Sequence, residues 1–200
     1  MTAPSPFGNR SGFSLLEMTF AVAILASVML ILFGISEAFG TTAQVQRAKV
    51  QANEETRRAL TVAIPLLRMA ARGSINWDDL PGPVISFRPA ADLNGNGTAV
   101  DVAGLIELGP VMSIQVDTND ANDDGITDTQ LVLLQGDTVR VLANNLVPPA
   151  AGGGEPTRAT SGFWVTPRDS GFEVMVRARG RTMRGLVLST EMSQYVALRN

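Results

Sequence analysis

The chain has 200 residues, 45% of them hydrophobic, with 16 Lys+Arg against 19 Asp+Glu, a net charge of −3, and neither histidine nor cysteine. The missing residue types exclude Ser-His-Asp and Cys-His catalysis, zinc sites built on their ligands and any disulfide. The mild acidity argues against a general nucleic-acid binder, which shows a basic patch. No paired-carboxylate motif sits in a catalytic setting, so a non-enzymatic protein with one cored domain is expected.

Residues 1–12 read MTAPSPFGNRSG, with Arg10 the one basic residue and no apolar region. From Phe13 to Phe33, roughly 21 residues, the only charge is Glu17, and that length crosses a bilayer core as a helix. An ionisable group inside such a span is costly and calls for a partner. A secretory signal places its apolar region before the cut; here the Gly12-Phe13 junction precedes it. An uncleaved anchor held by Arg10 leaves Gly12-Phe13 and Glu17 unexplained. The short polar leader, Gly12, Phe13 and the acid five residues into the apolar run resemble the type IV prepilin signature. The resemblance implies cleavage between Gly12 and Phe13 by a prepilin peptidase and methylation of the new Phe13 amine. It also implies a salt bridge from Glu17 to a neighbouring subunit's terminal amine during assembly.

Beyond the 13–36 transmembrane or filament-core segment, residues 37–73 turn amphipathic. Ala43, Val45, Val50, Ala52, Ala59, Leu60, Ala63, Leu66, Leu67 and Ala70 form an apolar stripe between charges, as in a helix laid on one hydrophobic surface. Gly73 is the expected stop. Phe13 to Arg72 would span roughly 90 Å as one helix. Gly34 and Gly40 should weaken it, and Pro65 should kink or restart it near Ile64.

From residue 74 to 200 the signal is strand. Val84–Phe87 and Met112–Val116 are candidates, and Gln130–Leu134, Gly136-Asp137 and Thr138–Leu142 read as a hairpin. Phe163-Trp164-Val165 follows the 148–161 loop. Phe172, Val174, Val176 and Ala178 alternate with Glu173, Met175, Arg177 and Arg179, a half-buried antiparallel pattern. Leu186–Leu188 and Tyr195–Leu198 are expected as two final strands. The fold class is α+β: a long N-terminal helix packed on antiparallel sheet, followed by a β-rich head. This is the pilin arrangement that the resemblance implies.

Gln51 to Leu60 with Leu66 to Ala70, Val139 to Leu146 and the closing Val196 to Asn200 resemble PilW-like minor pilins and the related J-type pseudopilins of type II secretion. The partners so implied are other minor and major pilin subunits, the prepilin peptidase, an inner-membrane assembly platform and membrane lipid around the N-terminal helix. The implied location is the inner membrane with a periplasmic head, then the pilus or cell surface. A membrane-anchored calcium-binding adhesion module is the alternative from another class.

Two acidic loops bear on that alternative. In the second, Asp120, Asn122, Asp124 and Asp128 offer side-chain oxygens and Ile126 a carbonyl at EF-hand-like spacing. Leu131 takes the place of the bidentate acid, so weak calcium binding is expected. Asp92, Asn94 and Asn96 form a weaker candidate. Both loops also suit plain Asx-rich turns. Trp77, Phe87, Phe163 and Trp164 are read as anchors of the packing, and Arg177, Arg179, Arg181 and Arg184 as an exposed sheet face.

Overall fold

The structure, a computed structural model, describes residues 14–149 and 155–198. The chain divides into two compact units, Met1–Ala43 and Gln44–Asn200. Helix α1 runs Leu15–Arg68. In the first unit its residues from Leu15 to Gly40 are exposed. In the second unit Ala48, Ala52, Thr56, Ala59, Leu60, Ala63, Ile64 and Leu67 are buried. Their three- and four-residue spacing puts them on one face.

α1 continues through Gly34, Gly40 and Pro65 without a break and stops at Arg68. The expected restart near Ile64 does not occur. Pro65 sits in the last turn, where one lost donor is followed by only three more helical residues. Met69 N donates to Leu66 O at 3.1 Å and Ala70 N to Leu67 O at 3.2 Å. These tighter three-residue bonds close the helix end. Gly73 is not the stop; it lies in a 3₁₀ turn, Arg72–Ser74.

The strands β1 (Val84–Phe87), β2 (Met112–Val116), β3 (Leu131–Gln135) and β4 (Thr138–Ala143) form one antiparallel sheet in that order. The expected hairpin is β3–β4, closed at Gln135↔Thr138. Strands β5 (Phe163–Arg168), β6 (Gly171–Arg181) and β7 (Val187–Ala197) form a second sheet in the order β5-β6-β7. Bridges Gly82↔Val165 and Leu146↔Ala178 join the two sheets. The arrangement is α+β, one long helix on antiparallel sheet.

The core gathers Leu60, Ile64 and Leu67 with Ile85, Phe87, Ile114, Leu131, Leu146, Phe163, Phe172 and Val174. α1 approaches β6 closely, and a Cβ on Gly180 would collide with the Ala48 carbonyl. Phe87, Phe163 and Trp164 are buried and Trp77 packs on the core, as expected.

Two strand expectations need correction. Met175 does not lie on a half-exposed face; it is buried at 1% exposure. Glu173 and Arg177, its neighbours along β6, bond Arg158 Nη2 and Ala159 O, which brings the 158–159 segment over this part of the strand. The two short final strands are one, β7, paired with β6 over eleven residues without a bulge.

Candidate functional site

The N-terminal site is built from the start of α1. Gly12 and Phe13 lie outside the described residues. Ser14 opens the helix: Leu16 N donates to its Oγ at 3.2 Å and Met18 N to its carbonyl at 3.1 Å. Glu17 is thus the third helical residue, exposed and in the first turn. There a carboxylate faces the positive end of the helix dipole. Ser14-Leu15-Leu16-Glu17 also has the spacing of a capping box, a signal that lies inside the apolar run.

Around it Leu15, Leu16, Met18, Phe20, Val22, Ile24 and Leu25 are each more than half exposed. The helix contains an 18-residue strongly apolar stretch, long enough to cross a membrane, none of it buried. Such a surface is stable in lipid or against other apolar chains, and costly in water. An apolar helix of this kind, near the N-terminus, fits a membrane anchor.

The acidic loops come together as self-bonded turns. Asp120 Oδ1 accepts Asp124 N at 2.9 Å and Gly125 N at 3.1 Å. Asp124 accepts Ile126 N on Oδ1 at 2.8 Å and Gln130 Nε2 and Asn122 Nδ2 on Oδ2 at 2.8 and 2.9 Å. These bonds, the one from Gln130 foremost, hold the Asp124 carboxyl below its ordinary pKa. Asp120, Asp123 and Asp128 have φ of 52, 56 and 63°, a region Asp tolerates through such local bonds. Ile126 is exposed and Asp128 half-buried, with Asp128 N donating to Asp117 O at 2.6 Å. One buried acceptor, Asn122 Oδ1, has no donor. In the 92–107 loop Asp92 caps Gly95 N, Asn96 N and Gly97 N, and Asn94 and Asn96 each accept a backbone N–H two residues on. Among the described residues no three acidic side chains gather closely enough to hold a metal ion.

The outer face of the second sheet carries ion pairs. Glu173 bonds Arg168 and Arg158. Arg168 first, then Arg158, hold its carboxyl down to a pKa of about 2. Arg177 pairs across the strands with Glu191. The expected exposed arginine face is therefore partly neutralised.

Residues 8–33 match the prokaryotic N-terminal methylation motif. No curated protein and no solved structure matches the chain. The matched stretch covers Gly12, Phe13, Glu17 and the exposed apolar helix. Together the methylation motif and the helix that carries it support a type IV pilin or pseudopilin-like protein.

Proposed function

We propose that the chain is a PilW-like minor pilin, an assembly subunit without chemistry of its own. It is cut between Gly12 and Phe13, methylated at Phe13, and built into a filament whose apolar core takes up α1. Its β-rich head contacts other subunits in a priming or tip complex. The observation that carries this reading is the motif match over residues 8–33, with Glu17 placed in the first turn of an exposed apolar helix. In the apolar phase that carboxylate is tolerable when paired, and a neighbour's Phe13 amine supplies the charge.

Intact-mass analysis of the membrane-extracted protein tests processing. The expected species starts at N-methyl Phe13; a chain keeping residues 1–12 in peptidase-competent cells would overturn the reading. Glu17→Ala should insert and fold normally, yet enter filaments roughly tenfold less, the scale of one lost charge pair. Normal incorporation of that variant removes the pairing role.

We also propose weak calcium binding at the 120–128 loop. Asn122 Oδ1 is a buried oxygen without a donor, and the Asp120 and Asp124 oxygens would have to exchange backbone N–H partners for the ion.

A further inference from the structure

Gln51 of α1, Asn145, Arg179 and Arg181 of β6 and Val187 of β7 line a cavity of about 400 Å³. Its charge follows from the sheet register. Along the outer face of β6, Glu173 has Arg158 and Arg168, and Arg177 has Glu191. The next two positions break the pattern: Arg179 lies opposite Ser189 and Arg181 opposite Val187, so β7 offers them no acid. Among the described residues neither guanidinium is in an ion pair. Glu55, an acid on α1, accepts Asn144 N at 3.1 Å. Asn145 adopts φ of 58° and accepts Arg179 N at 2.7 Å, which holds that strand end against the cavity wall.

Two uncompensated planar cations beside two side-chain amides suit a carboxylate, which a guanidinium fork binds through paired hydrogen bonds. The chain carries the complementary charge elsewhere. From residue 89 to 139 there is no lysine or arginine, while Asp92, Asp101, Glu107, Asp120, Asp123 and Asp124 recur. The 99–106 stretch packs beside Arg68 and Met69. Seventeen residues of α1 separate Arg68 from Gln51, roughly 25 Å along the axis, so that stretch does not reach its own chain's cavity. Opposite charges on different parts of one subunit are what a head-to-tail contact uses, and repeating such a contact builds a helical filament.

We propose that this cavity is a docking site for aspartate or glutamate carboxylates of a neighbouring filament subunit, a step that rests on the pilin reading above. The test uses a chemical accident of the chain: Lys49 is its one lysine. The full chain carrying Lys49→Arg and Arg181→Lys is expressed with the other subunits of its assembly system and treated with a carbodiimide. The expected product is an isopeptide bond from the new amine at position 181 to an acid of another subunit, located by peptide mapping. In parallel, Arg179→Ser with Arg181→Ser should lower co-purification of the other subunits about tenfold, with the melting temperature within about 2 °C of wild type. Undiminished co-purification, or no cross-link beyond that of the unsubstituted chain with Lys49 in place, overturns the proposal. So does a melting temperature raised by inorganic phosphate without any cross-link, which would mark a site for free anions. Failure of the pilin reading shows separately, in a wild-type chain that keeps its leader and co-purifies with no subunit.

Discussion

Under the proposed pilin role Glu17 serves two ends, and their sizes separate them. At the start of α1 it gains from the helix dipole about 0.3–1 kcal/mol, small for a helix of 54 residues. Pairing with an amine in apolar surroundings is worth several times more. Glu17→Gln, which keeps the shape and loses the charge, should therefore leave membrane levels unchanged and impair filament incorporation as much as Glu17→Ala. Filament fractionation followed by immunoblotting reads this out; wild-type incorporation of the Gln variant would point to the helix start alone. Glu173 makes a pH prediction. Its carboxyl is held at a pKa of about 2 against an ordinary 4.5 by Arg168 and Arg158. The stability so gained is complete above pH 4.5 and is lost as pH falls towards 2, because the unfolded chain takes up the proton first. The melting temperature of wild type should fall more steeply between pH 5 and pH 3 than that of Glu173→Gln; parallel curves would contradict the ion-pair account.

At the level of elements, the seam between α1 and β6 sets the tolerance of the head. Gly180→Ala pushes a methyl into the Ala48 carbonyl. It should cost about 1–3 kcal/mol or more, seen as a drop of several degrees in the melting temperature of the detergent-solubilised chain. Gly73→Ala meets open space and should stay within about 0.5 kcal/mol. Equal effects of the two would contradict a close seam. The same elements show what a sequence reveals. The β3–β4 hairpin was legible because its apolar runs flank a Gly-Asp turn. The strand β7 was read as two pieces because its middle, Ser189 to Gln194, mixes polar and apolar residues. As an edge strand it is largely exposed, so burial imposes no alternation there. Met175 breaks the alternation because its burial, at 1% exposure, is set by parts of the fold distant in sequence, which no local period records. Gly12, Phe13 and Glu17 lie in one short run, so the motif they form stands out in sequence alone; of the three the structure describes only Glu17. The Arg179–Arg181 cavity was half legible: the arginines stand out in sequence, but their lack of acids across β7 needs the register.

For the whole molecule, calcium is the external variable to change. At a dissociation constant of roughly 10⁻⁴ to 10⁻³ M, a tenfold excess stabilises the native chain by about 1.4 kcal/mol. That should raise the melting temperature by about 3–6 °C if the proposed site binds. Asp120→Asn with Asp124→Asn should remove the shift and leave the melting curve otherwise cooperative; no shift in wild type rejects the ion. The exposed helix has a further consequence. Its apolar side chains from Leu15 to Phe33 are bare in the isolated chain, and each costs roughly 1.5–3 kcal/mol to leave in water. The barrier against free diffusion is thus on the order of 20–40 kcal/mol. If the chain is the filament subunit proposed above, it must pass directly from one oily surrounding to the next, and recycling after disassembly would need the filament base to remain open sideways to the bilayer.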